Sequence, residues 1–310
     1  MKSIKKERKI NYVDSKYINE AKKNVKSELI NKVNIGGKDN GSNGSQVSSV
    51  GAIASVPQVS GVAMVKQQIS NGYHKENIIS NGAAVTGPLP ADAKRFLTLE
   101  LPSLIVVAGQ TRTGKSNLVR LLITQACRNG QVNRVIVLCP TADMSKDYYY
   151  IKNKKYVKTD PTKMEEWIKQ IYKEQVDLKK QGVSYKTLLI LDDVMGHISF
   201  GDDIWKQIAG QSRHSELSII MVLQNISSSI PPPVKENITT MFMTKMKANS
   251  LATAFKIQGH FSKQSEFEEY VRLNTVNYGC IRVDTGGLGS GLSSWTPPPL
   301  DKASQPMIEF

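Results

Sequence analysis

The chain has 310 residues, 40% of them hydrophobic, and a formal net charge of +14 from 41 Lys and Arg against 27 Asp and Glu. That length holds one sizeable domain with appendages, or two small ones, and the charge points to an acidic partner, nucleic acid first, with a solvated lysine-rich surface as the plainer alternative. Three scattered cysteines, Cys127, Cys139 and Cys280, exclude a disulfide framework and a C-x-x-C metal site, and no apolar run nears the roughly eighteen residues that a membrane span needs. The expectation is a soluble chain with buried free thiols, working inside a cell.

Residues 1–34 carry ten Lys or Arg against four acids, with Ile10, Val13, Tyr17, Ile18, Ala21 and Val25 at roughly helical spacing. This basic arm could hold nucleic-acid phosphates, dock on a protein partner or merely solubilise. Gly, Ser and Asn dominate the low-complexity linker 35–62, and the lead-in segment 63–97 has no sustained period. Strand-length apolar runs follow at Ser103–Ala108, Arg134–Leu138, Thr187–Leu191, Ser218–Leu223, Ile238–Thr244 and Gly279–Val283. Most lack period-two polarity, as strands covered on both faces do. Helical stripes alternate with them. Leu118, Leu121, Leu122 and Ala126 form one, stopped by Asn129-Gly130. Met164, Trp167, Ile168, Ile171 and Leu178 form another, ending at Gly182 and opened by a capping box of Thr162 with Glu165. Ser265 with Glu268 predicts the same device ahead of Tyr270 and Val271. Pro231-Pro-Pro233 predicts a rigid turn between strands. A Gly/Pro-rich tail, 285–310, closes the chain. The alternation predicts an α/β domain over 98–284 with a mostly parallel central sheet flanked by helices.

The chemistry sits at the strand ends. Gly109-Gln110-Thr111-Arg112-Thr113-Gly114-Lys115-Ser116-Asn117 follows the apolar run 104–108 and precedes a helix, which is the setting a phosphate-binding loop requires. Gly109 and Gly114 let successive N–H groups curl around a phosphate, and the helix aims its positive end at the same anion. Lys115 is placed to reach the β- and γ-phosphates of ATP, and the Ser116 hydroxyl to ligate Mg²⁺. A second run, Leu188-Leu-Ile-Leu-Asp192-Asp193, delivers two carboxylates to the edge of the sheet where open α/β folds bind ligands. Asp192 is the candidate metal ligand and Asp193 the candidate base for the attacking water, although one methylene shorter than the glutamate found there in many ATPases. A third run ends in Gln224, a candidate sensor of the γ-phosphate or of that water. Before it stands Arg213-His214. An arginine there lies on the sheet edge away from its own nucleotide and could serve a neighbouring subunit as an arginine finger.

Together the loop G-Q-T-R-T-G-K-S, the run L-L-I-L-D-D and R-H-S-E-L-S-I-I-M-V-L-Q resemble the FtsK–HerA superfamily of DNA-pumping ATPases. More closely, they resemble the genome-packaging ATPases of poxvirus-like large DNA viruses, virophages and related double-jelly-roll viruses. The resemblance covers roughly residues 98–284, and the Arg213–Gln224 segment discriminates that branch. It implies a P-loop NTPase of the RecA-like (ASCE) class with ATP and Mg²⁺. It implies Lys115 and Ser116 at phosphate and metal, Asp192 at metal, Asp193 as catalytic base, Gln224 as sensor and Arg213 as finger in trans, with Arg112 and Arg272 as rival positive groups near a subunit boundary. It further implies a homo-oligomeric ring, commonly a hexamer, around double-stranded DNA that it pushes without sequence preference into a preformed capsid. The site of work would be the host cytoplasm or viral factory, or the virion. Lys152, Lys154, Lys155, Lys158 and Lys163, or Lys245 and Lys247, are the candidate DNA-facing lysines. A helicase or conjugation-type pump of the same superfamily, or an ATP-binding scaffold without turnover, are the competing readings.

Overall fold

The computed structural model describes residues 91–199, 203–226, 230–285, 291–299 and 307–310. The basic arm, the linker and the lead-in segment up to residue 90 lie outside the described residues, as do 286–290 of the tail.

The four most apolar runs become strands with every residue buried: β1 (Leu104–Ala108), β2 (Arg134–Leu138), β4 (Thr187–Asp192) and β5 (Leu217–Leu223). With the two-residue β3 (Val157–Lys158) and with β6 (Ile238–Met243), they form a parallel set in the order β3-β2-β4-β5-β1-β6. Helices on both faces bury it, which is why these strands need no polar side. The sheet then changes sense. β7 (Cys280–Asp284) pairs antiparallel with β6, and β8 (Leu292–Trp295) antiparallel with β7, giving eight strands in one sheet.

Helix α1 (Ala91–Leu97) leads in, α2 (Lys115–Arg128) follows the phosphate loop and the short α3 (Ala142–Ser145) follows β2. α4 (Met164–Lys180) crosses from β3 to β4, α5 (Asp203–Gln211) from β4 to β5, and α6 (Pro232–Glu236) from β5 to β6. α7 (Ala248–Ile257) and α8 (Gln264–Asn274) lie between β6 and β7. The stripe Leu118, Leu121, Leu122 and Ala126 is buried against the sheet, and Gly130 with φ 63° ends the helix as expected.

Three sequence expectations are corrected. Thr162 does not cap α4: it sits in a 3₁₀ turn (Pro161–Lys163) whose N-cap is Asp160, and its hydroxyl donates to Asp160 Oδ1 at 2.7 Å. Asp160 preorganises the turn, so the helix starts after it, on Met164. Ser265 lies inside α8, which opens one residue earlier after Lys263. The proline triplet opens α6, with Pro231 as its N-cap, because proline at the first helical positions loses no hydrogen bond.

The two flanks of the expected ATPase core pack onto it. Arg282 on β7 is 7% exposed; its Nε donates to Asp284, and its Nη1 donates to the carbonyls of Arg95, Phe96 and Thr98. Those are carbonyls at the end of α1 that the helix itself leaves unpaired. Trp295 of β8 packs on Phe96, ring centroids 5.6 Å apart, and Phe96 on Phe242 of β6. Farther on, Ile308 pairs with Ile151, and Phe310 packs on the Tyr156 ring. Trp205 is fully buried, and Lys158 lies over the half-buried Trp167, so both tryptophans pack within the domain.

Candidate active site

Register places the site. Ala108, the last residue of β1, pairs with Leu223 on one side and Met243 on the other, so Gly109 leaves the sheet level with Gln224 and Thr244. Asp192 pairs with Val222, which puts Asp193 level with Leu223, within side-chain reach of Gln224. Residues separated by more than a hundred positions thus meet at one edge because four parallel strands end together.

The loop is anchored before it curls. Gly109 N–H donates to Leu223 O at 3.1 Å and Gln110 N–H to Lys245 O at 2.8 Å. Gly109 is required by space: a Cβ there would lie 1.8 Å from Thr244 Oγ1. Gly114 is required by conformation, with φ 95° at the N-cap of α2. Arg112 takes φ 62°, a left-handed turn that exposes its side chain. Thr113 and Thr244 share a 2.6 Å hydrogen bond between hydroxyls, tying the loop to the end of β6. Lys115 Nζ donates to the Gly109 and Gln110 carbonyls, both at 2.8 Å. Burial lowers its pKa, and the nearby Asp192 and Asp193 oppose that shift.

Three carboxylates converge on the far side of the loop. Asp192 is 8% exposed, and its pKa is pushed up to about 6. Desolvation is the main cause, and Asp193 and Asp147 add like charge. A 2.8 Å hydrogen bond from the Tyr148 hydroxyl works the other way. Asp193 is exposed, at φ 55°, a left-handed conformation that aspartate tolerates better than most residues. Gln224 Nε2 donates to its Oδ1 at 3.2 Å, and Thr141 Oγ1 to its Oδ2 at 3.3 Å. Thr111 Oγ1 in turn donates to Gln224 Oε1 at 3.4 Å, so a line of contacts runs from the phosphate loop through Gln224 to Asp193. Ser116 Oγ donates to Asp147 Oδ2 at 3.4 Å. Asn117 reaches elsewhere: its Nδ2 donates to Pro298 O at 3.0 Å, and its Oδ1 accepts from Arg120.

The structure therefore gathers Thr111, Lys115 and Ser116 of the loop with Asp192, Asp193 and Gln224, and keeps Arg112, Asn117 and Arg213 apart. Arg213 is exposed at the opposite end of β5, where Nη2 reaches Asn237 Oδ1 at 3.4 Å. It lines a cleft of about 450 Å³ with Lys235, Glu236 and Lys256. Sequence reading missed Thr141, Asp147, Tyr148 and Thr244. The run Asp147-Tyr148-Tyr149-Tyr150 was the available signal, since a carboxylate joined to three aromatics after a buried strand is unusual on a solvated surface. Of the lysines 152–163, Lys152 pairs with Glu309 and Lys163 with Asp160, both at the surface, and Lys154 donates to Tyr148 O.

Among the described residues no cluster of three or more His, Cys, Asp or Glu could hold a metal ion alone, and no helix is long and apolar enough to cross a membrane. The Cys139 and Cys280 thiols are buried, and burial pushes Cys139 up to about 12.

Comparison with known proteins gives this edge its context. A family model described as Poxvirus A32 protein matches residues 96–271, more than half of the chain. The uncharacterised protein 075L of Invertebrate iridescent virus 6 is 26% identical over 209 residues, which are 64% of this chain and 79% of that protein. The genome-packaging NTPase B204 of Sulfolobus turreted icosahedral virus 2, solved with AMPPCP, superposes with a TM-score of 0.49 at 17% identity, covering 64% of this chain and all of that one. The cytoplasmic domain of the Thermomonospora curvata type VII secretion ATPase EccC gives 0.45 at 13% identity, over 65% of this chain and 26% of that one. The matched segment 96–271 contains the phosphate loop, both aspartates, Arg213 and Gln224. The chain belongs to the poxvirus A32 protein family, and it is a viral DNA-packaging ATPase.

Proposed function

We propose that the chain works as a homo-oligomeric ring that hydrolyses ATP to push double-stranded DNA into a capsid, with the residues at the sheet edge in the following roles. The observation that carries the assignment of roles is the line Thr111–Gln224–Asp193 beside the Lys115 ammonium. Asp193 accepts the proton of the attacking water, and Gln224 positions that water from the next strand. Lys115, the loop N–H groups and the start of α2 stabilise the charge that gathers on the β- and γ-phosphate oxygens. Thr111 binds Gln224 in the same line, so the state of the γ-phosphate is felt on β5.

Mg²⁺ fits the donor set. Ser116 Oγ, Asp192 and Asp147 offer only hard oxygen donors, and Mg²⁺ is usually held by one or two carboxylates together with substrate phosphates and water. A bound Mg²⁺ supplies charge neutralisation across the phosphate oxygens. The raised pKa of Asp192 supports the role, because a buried carboxylate beside two others gains most from a cation.

Arg213 serves the neighbouring subunit. It stands free of its own phosphate loop at the other end of β5, where only a second protomer could bring it to a nucleotide. The net charge of +14 supports a partner read through its phosphate backbone, as a motor indifferent to sequence requires. Steady-state hydrolysis against protein concentration, with and without double-stranded DNA, tests this for the intact chain, Arg213→Ala and Lys115→Ala. The expected result is turnover that rises with concentration and DNA. Arg213→Ala should bind ATP yet lose about 10³-fold or more in turnover. Turnover independent of both variables would reject the ring and the trans finger together.

A further inference from the structure

The phosphate loop has a second flank that the roles above leave unused. Between the loop and the turn joining α8 to β7 lies a cleft of about 830 Å³, within the range of small-molecule sites. Arg112 and Thr113 of the loop line it on one side, Lys245 and Met246 after β6 form part of its wall, and Val276 and Tyr278 close the other side. The two ends of a nucleotide must leave the loop in different directions. Its terminal phosphate belongs beside Asp192 and Asp193, on the β5–β4 side. The nucleoside then leaves toward β6 and α8, where this cleft opens.

The turn is built to hold an aromatic ring there. Asn277 and Tyr278 both take left-handed conformations, φ 51° and 64°, at a cost of roughly 1–2 kcal/mol for each such residue. Gly279 makes the turn feasible, since a Cβ there would lie 2.2 Å from Asn274 O. Thr275 and Gly279 N–H groups close it onto Val271 O and Val276 O. The result keeps Tyr278 65% and Val276 59% exposed, apolar surface that the fold itself does not use. The Tyr278 ring stands over the loop: its Cδ1 is 3.6 Å from where a Gly114 Cβ would be. Arg272 is engaged by Glu269, at 2.6 and 3.1 Å, and the exposed faces of Tyr278 and Val276 offer a flat, weakly polar group a surface to stack on.

We propose that this cleft receives the nucleoside of the nucleotide whose phosphates the loop binds, and that Tyr278 is the platform on which the base stacks. The proposal rests on the phosphate-site reading and adds to it the residue that grips the base. Tyr278 lies beyond the matched family segment, so base recognition here depends on chain outside it. Calorimetric titration of the full-length chain with ADP, and separately with tripolyphosphate, distinguishes the two parts. Tyr278→Ala should weaken ADP about 5- to 100-fold, the worth of one base–aromatic stack. Tripolyphosphate should bind Tyr278→Ala within about twofold of the unaltered chain, and Tyr278→Phe should restore ADP binding. ADP binding unchanged in Tyr278→Ala would overturn the proposal, and so would equal loss of ADP and tripolyphosphate, which would mean that the ring merely props the loop. Lys115→Ala is the separate control. If it bound tripolyphosphate as well as the unaltered chain does, the phosphate-site reading itself would fail, whatever Tyr278 does.

Discussion

The two flanks of the phosphate loop are built from different materials. On the β5–β4 side stand Asp147, Asp192, Asp193 and Gln224, polar groups delivered by strand ends and by the turn before Tyr148. On the β6–α8 side stand Arg112 from the loop, Lys245 from just after β6, and Val276 and Tyr278 from a strained turn, with Glu268 and Glu269 of α8 lining the same cleft. The first flank is held together at electrostatic cost, because buried and clustered carboxylates repel one another. The second is held at conformational cost, because two successive non-glycine residues, Asn277 and Tyr278, sit at positive φ, where the first flank has Asp193 alone. Each cost falls where a nucleotide would repay it: a cation relieves the acids, and a base covers the exposed ring.

The largest effect expected on the acidic flank is chemical. Asp193→Asn keeps the size of the side chain and one carbonyl oxygen, so either Gln224 or Thr141 keeps its acceptor, but it removes the base. Turnover should fall by about 10²–10⁴-fold with ATP binding retained, read by single-turnover hydrolysis beside equilibrium binding. A fall below tenfold would move the base elsewhere, and Asp192 or Asp147 would be the next candidates. Asp192→Asn should act in the opposite sense on stability. Its carboxyl is raised from 3.8 to about 6, so the folded chain holds the proton more tightly than the unfolded chain does. Ionisation therefore opposes folding, and stability falls as pH rises from about 4 through 6. Without metal or nucleotide, Asn in its place should stabilise the fold by about 3 kcal/mol at neutral pH and by almost nothing near pH 4, read from denaturant midpoints. The variant should also lose any Mg²⁺-dependent gain in stability. A variant less stable than the parent at neutral pH would show that the acidic flank is not strained.

The acidic flank was legible in the sequence because parallel strands make it so. Four buried runs end at the same edge, and the residue after each run belongs to the site: Gly109, Asp193, Gln224 and Thr244. Gly109 and Asp193 were readable as a glycine loop and a paired aspartate, and Gln224 through the family resemblance, since a lone amide at a strand end is unremarkable. Thr244 was not, since a threonine closing a β-rich run is unremarkable until register sets it against Gly109. Asp147 and Tyr148 escaped for another reason, for they follow β2 by a turn and carry no fixed spacing to any strand. The apolar flank was illegible altogether. Asn277-Tyr278-Gly279 reads as an ordinary turn, and only the fold brings it over Gly114. The tail was read as lying outside the domain because Gly and Pro dominate it, yet Leu292–Trp295 extends the sheet. One pairing edge and one tryptophan were enough to dock it.

Smaller effects should come from the seam between the flanks. Gly109→Ala would press a Cβ against Thr244 Oγ1, 1.8 Å away, and overpacking of this kind costs about 1–3 kcal/mol. Part of the cost is steric, against the Thr244 side chain, and part is the backbone, since φ 159° borders a region that side-chain-bearing residues rarely adopt. The same substitution in a Thr244→Ala background should therefore be markedly cheaper, and equal penalties in both backgrounds would place the conflict elsewhere.

Thr244→Val is the mildest case. It keeps the volume that faces Gly109 and removes only the hydroxyl, with its 2.6 Å bond to Thr113 and its longer contact to Ala108 O. Thr113 is not orphaned, because its hydroxyl also donates to Gln110 O at 2.7 Å. The loss should therefore be that of one net hydrogen bond, about 1 kcal/mol in a denaturant midpoint. If the two flanks respond independently, base and metal binding should both pass through this seam almost unchanged. A loss of several kcal/mol, or of ADP affinity comparable to that of Tyr278→Ala, would mean that the threonine pair couples them. Gly109 would then be held against β6 for communication as well as for space.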